Sequence, residues 1–329
     1  DLDDSRQSMF LDPSSHGSAG NRVEWNKALL ENSVAQAYIR LLEELRTDIE
    51  TDCVDMYYCA FPKVVDNDRS WEGWLANSFY RQASLAPLFR VSGATIWSNL
   101  SSSRSLPEEL LLVGEALIAD EFLPILDPPL PEHIITGFKN NQINVPMLTP
   151  QDLAFGLEQE QDVDCTMDDA PLNCLRKREY VEQILSFFLN DFPADEMEGL
   201  PLVIDCRGHL RTLGLTETPL YIAGQSWDLE VFSDHLEWFV DTKLVRNLNL
   251  IENEVTGLHY MDNKSFTSEL DKYISSKTVN GELKLRRRNT GTLTDTWLQA
   301  VFSRLLASNI RNLQFEIRGI PLVPDQNHI

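Results

Sequence analysis

Between Leu30 and Ile49 apolar side chains recur at steps of three or four residues: Leu30, Val34, Tyr38, Leu41, Leu45 and Ile49. Only a helix brings that spacing onto one face, and an apolar face must be covered by something apolar. The stretch reads as an amphipathic helix, with Asn21 as its N-cap and Glu24 three residues on. A second helical stretch runs near 71–89, with Trp74, Phe79 and Leu85 among its apolar positions. Pro107-Glu108-Glu109 marks the first turn of a third, where free N–H groups favour negative charge. Thr149-Pro150-Gln151-Asp152 opens a fourth, with threonine as cap and proline at the first helical position.

Residues 158–169 (EQEQDVDCTMDD) are acidic and polar, and read as an exposed loop at a domain boundary. They lack the spacing and the glycine of an EF-hand calcium loop. Beyond them the texture changes. Leu175, Val181, Ile184, Leu185, Phe188 and Leu189 mark an amphipathic helix, followed by Gly199-Leu200-Pro201-Leu202-Val203. Leu202-Val203-Ile204 and His209-Leu210-Arg211-Thr212-Leu213 then form the arms of an expected β-hairpin. Gly208 supplies the positive φ of its turn. Residues 218–223 suggest a further strand. Trp297, Leu298, Val301, Phe302 and Leu305 line another helix behind the cap Thr294. Phe315-Glu316-Ile317 alternates as a strand does, and Gly319-Ile320-Pro321-Leu322-Val323 nearly repeats the earlier pentapeptide. Proline is tolerated where a chain enters a strand, so the repeat reads as structural punctuation. The expected fold class is α+β: a helix-rich segment over 1–157, an acidic loop over 158–170, and a mixed α/β segment over 171–329 with two helix-to-strand units.

Apolar residues make up 43% of the 329, ample for a core, while no apolar run approaches a membrane span. The net charge of −23 argues against duplex nucleic acid and anionic membrane surfaces as partners. The one basic cluster, Lys284-Leu285-Arg286-Arg287-Arg288, reads as a solvated turn. Cys53, Cys59, Cys165, Cys174 and Cys206 form no CxxC pair and have no histidine at zinc-ligand spacing. An odd, scattered set suits reduced thiols and a cytoplasmic location. Asp1-Leu2-Asp3-Asp4 is neither a start nor a signal peptide, and the last residues follow directly on a strand-like run, so a piece of a longer chain is expected.

No dinucleotide fingerprint, phosphate-binding loop, nucleophile elbow or metalloprotease motif occurs. Asp234-His235 resembles part of a catalytic base, yet no cysteine or serine nearby has a matching context; a structural histidine is the simpler reading. Trp25, Trp74 and Trp297 fall within helical periodicities and are expected in the core rather than stacked on a sugar. No catalytic, cofactor-binding or metal-binding residue is assigned.

Several stretches in common order resemble the sacsin family, in the part of its repeats that follows the ATPase-like domain. Leu2-Asp3, Arg6-Gln7 and Met9-Phe10 are similar to a Leu-Asp, Arg-Arg, Leu-Trp segment. Trp25-Asn26 with Leu29, Val34-Ala35, Ala37-Tyr38 and Leu41-Leu42 resembles the family's Trp-Asn helix. Tyr57-Tyr58, Phe61-Pro62 and Trp71 follow, then Leu130-Pro131-Glu132-His133, Leu148-Thr149-Pro150 and the GLPLV hairpin. The resemblance spans nearly the whole chain. It implies a non-catalytic segment of a chaperone or co-chaperone scaffold in cytoplasmic protein quality control. Its partners would be the adjacent ATPase-like domain of the same chain and client or chaperone proteins. The family's nucleotide-binding residues belong to that upstream domain, and Arg6 is the residue placed to reach its phosphate. An architectural spacer and an unrecognised enzyme domain are the rival readings.

Overall fold

A long helical rod opens the described part of the chain: α1 (Ser18–Ala28), a π-helical turn (Leu29–Val34) and α2 (Ala35–Asp48). The computed structural model describes residues 18–49, 53–64, 70–92, 97–158, 164–214, 219–251, 255, 257–279, 282–283 and 295–307. Asn21 lies inside α1 rather than capping it. Two residues on, Val23 packs with Leu30 and Trp74. The chain divides into two units, Asp1–Gly156 and Leu157–Ile329.

The first unit is helix-rich, adding α3 (Val54–Cys59), α4 (Trp71–Ala83), α5 (Gly114–Asp120), α6 (Glu132–Asn140) and α7 (Pro150–Leu157). Its β-structure is minimal, β1 (Phe89–Arg90) paired antiparallel with β2 (Trp97–Ser98). Tyr57, Tyr58, Phe61, Phe79, Tyr80, Phe89 and Phe138 build the core, mostly edge to face as aromatic quadrupoles prefer. Tyr80 donates to Pro62 O (2.6 Å), which satisfies its buried hydroxyl. Gly137 lets α6 cross α4 closely, because a Cβ there would lie 2.1 Å from the Tyr80 ring. Ser70 caps α4, accepting from Gly73 N (3.1 Å). At α7, Thr149 Oγ1 accepts from Asp152 N (3.2 Å) and Asp152 Oδ2 accepts from Thr149 N (3.1 Å). This closes the reciprocal box implied by the cap, and Arg104 Nε joins it at 3.0 Å. Pro107-Glu108-Glu109 opens only a 3₁₀ turn (Glu108–Leu110), with α5 following separately.

The second unit is mixed. Part of the expected acidic loop is a strand, β3 (Asp164–Thr166), running antiparallel to β5 (His209–Arg211), which pairs in turn with β4 (Val203–Ile204). Cys165 opposite Leu210 gives that strand an apolar partner its acidic neighbours concealed. The hairpin turns at Gly208 with φ +86°, and Asp205 Oδ1 accepts from Arg207 N and His209 N, both at 2.9 Å. Helix α8 (Arg178–Asp191) buries Val181, Ile184, Leu185 and Phe188 before the hairpin. In the pentapeptide that follows, Gly199 N donates to Leu213 O (2.8 Å) and Leu213 N to Leu200 O (2.9 Å). Strand β6 (Leu220–Ile222) leads through α9 (Ser226–Val231) and α10 (Thr242–Asn247) to its parallel partner β7 (Leu258–Tyr260). Helix α11 (Asn263–Lys277), the short pair β8 (Thr278–Val279) and β9 (Glu282–Leu283), and α12 (Asp295–Ala307) complete the described chain. Trp297, Val301 and Leu305 of α12 pack with Phe232, Phe266 and Tyr273. Thr294, residues 315–317 and the second pentapeptide lie outside the described residues.

Candidate functional site: an outward-facing groove on the first unit

The apolar stripe of the long rod does not stay on one face. Across the π turn the Ala35 N–H bonds to Leu30 O, five residues back instead of four. One extra residue in a turn shifts everything after it by about 100°. The buried face therefore runs Val23, Leu30, Ala35, Ile39, Leu42, whereas Val34, Leu41 and Leu45 are turned outward at 36%, 48% and 39% exposure. Two side chains of α4 hold the wide turn: Ser78 Oγ and Gln82 Nε2 (3.1 Å) both donate to Glu31 O. The stripe read as a single face is thus corrected into two, one packed and one presented.

Val34, Ala37 and Leu41 wall a groove of about 510 Å³ with Pro62, Trp71 and Leu75 opposite. Tyr38 stands at its edge, hydroxyl donating to Ala60 O and ring against Phe79 at 5.4 Å; burial raises its phenol pKa. Arg40 and Glu44 flank the stripe on one side, and Lys63 and Glu72 line the other. The groove is an apolar trough with charged lips. Resemblance and periodicity both pointed at this helix. The face it presents escaped both, and the available clue was a second stripe at 35, 39 and 42.

Asp234 and His235 lie on a 3₁₀ segment, Ser233–Trp238. The His235 ring stacks on Trp238 (4.2 Å) with Nδ1 3.0 Å from Glu237 Oε1, and Tyr273 donates to Asp234 Oδ2 (3.2 Å). Arg207 pairs with the same Glu237. These contacts pin the segment onto the hairpin and α11. The thiol of Cys206 donates to Val240 O (3.4 Å), and burial, followed by the Asp241 and Asp205 charges, pushes it up to about 11. A thiol so shifted is a poor nucleophile.

All five cysteines are free thiols. No group of three or more His, Cys, Asp or Glu among the described residues is placed to hold a metal ion. No described helix is long and apolar enough to cross a membrane. Trp74 and Trp297 are buried as expected, but Trp25 is 57% exposed, on the face of α1 away from Val23. Arg6 and the 284–288 cluster lie outside the described residues. Comparison with known proteins finds no matching family model, no similar curated protein and no similar solved structure.

Proposed function

We propose that this chain is a non-catalytic scaffold segment that docks other proteins through the groove between α2 and the start of α4. The observation that carries this reading is the π turn, which turns a row of large apolar side chains toward solvent and holds it there with two donors from α4. Apolar surface presented in a shaped trough is the usual basis of helix-in-groove recognition. An architectural spacer has no use for such a trough. The enzyme reading loses support from Cys206, the thiol nearest Asp234 and His235 in sequence, which is pushed up and bonded to a carbonyl. The sacsin-like resemblance supplies the setting: cytoplasmic protein quality control, beside an ATPase-like domain of the same chain, with clients or chaperones as partners.

A photo-crosslinking side chain at Ala37 tests this in cells expressing the chain, with the exposed Glu109 position as control. The expected result is a protein adduct from position 37 that position 109 does not give and that Leu41→Glu abolishes. No adduct at 37, or the same adducts from both positions, contradicts it.

A further inference from the structure

We infer that the occupant of the groove is a second copy of this chain, docked through a two-fold contact of α2 on α2. The inference rests on the docking reading above and names its partner.

The outward residues Val34, Ala37, Leu41 and Leu45 are spaced by three, four and four. Steps of three and four put them on one face of the helix, the place where a seam with a facing helix forms. Two copies crossing antiparallel with Leu41 at the centre place Leu41 against the partner's Leu41. Ala37 then falls opposite the partner's Leu45, a small residue opposite a large one. The same helix therefore supplies both the knobs and the holes.

Charge selects the partner. A chain of net −23 repels its own copy over most approaches. Around the groove the described charges balance, Arg40 and Lys63 against Glu44 and Glu72, all four exposed. A strongly basic or acidic peptide finds no complement in such a rim, whereas a second copy does. Two-fold symmetry makes residue i meet j and j meet i, so Arg40 comes within a turn of the partner's Glu44, twice per interface.

The test is sedimentation equilibrium of the full chain across micromolar concentrations. The expected mass rises from 37.6 kDa toward twice that value with concentration, and Leu41→Glu stays at 37.6 kDa throughout. Arg40→Glu sets like charges against each other at both symmetric positions and weakens the dimer about tenfold. Adding Glu44→Arg to the same chain restores it, a rescue that a merely folding-related loss would not show. A wild-type chain that is monomeric at every concentration, or a dimer indifferent to Leu41→Glu, overturns the inference. If the chain is monomeric while position 37 still crosslinks a different protein, the second copy is the wrong occupant and the docking reading survives. If neither self-association nor crosslinking responds to Leu41→Glu, both fall.

Discussion

Arg304 is buried in α12 with Nε 2.5 Å from Asp228 Oδ1, Nη1 2.9 Å from Asn263 Oδ1 and Nη2 3.2 Å from Met261 O. Its guanidinium also lies over the Phe266 ring at 4.9 Å. Burial raises the Asp228 carboxyl, and Arg304 is the first of the groups drawing it back down. Removing one member of a buried pair leaves the other charge without compensation. Arg304→Met is therefore expected to destabilise the chain by about 3–5 kcal/mol, and Asp228→Asn added to it should recover part of the loss. Urea denaturation of the two variants checks this; a double variant as unstable as the single one would place the damage in lost packing instead. The sequence carries a trace of this role, since Arg304 falls within the apolar stripe Trp297–Val301–Leu305 where a solvated arginine would break the pattern. Its partner, 76 residues away, leaves no such trace.

At the scale of elements, local chemistry was readable where it is self-contained. The hairpin around Gly208 and the cap at Thr149 need only residues within a few positions of one another. Burial alone would raise the Asp152 carboxyl, but Arg104 and the Thr149 hydroxyl and N–H hold it below the usual carboxylate range. An acid whose folded pKa is depressed contributes stability that is full above its unfolded value, about 3.9, and is lost as pH falls through the folded value. Asp152→Asn should thus lower the urea midpoint at pH 7, and its deficit relative to wild type should shrink below about pH 4. A deficit constant from pH 7 to 3 would exclude the ionised cap. The π turn was not readable, because what holds it is tertiary: its donors Ser78 and Gln82 lie 47 and 51 residues from Glu31. Strand β3 was hidden for the same reason, its pairing partner lying across α8. Deleting Ser33 takes out the extra residue, so that Ala35 follows Leu30 by four as in a plain α-helix, and Ala35, Ile39 and Leu42 keep the buried side. Hydrogen exchange read over 35–48 should then show an uninterrupted helix, while a thiol placed at 41 stays accessible; protection at 41 would mean that the turn does not set the face.

At the scale of the whole molecule, composition announced an acidic chain and apolar periodicity an α+β one with a helix-rich N-terminal part, and the structure has that α+β form. Composition could not say where apolar surface stays outside, since that depends on the phase of one helix against one partner. That phase sets the groove: Leu41 faces solvent in its wall while its neighbour Leu42, fully buried, faces the core. The direct measurement is maleimide labelling of Leu41→Cys and Leu42→Cys in dilute native protein, read peptide by peptide so that the five natural thiols do not interfere. Rapid modification is expected at 41 and none at 42 until the chain unfolds. Protection at 41, or equal reactivity at both, would contradict an outward-facing stripe and with it the groove.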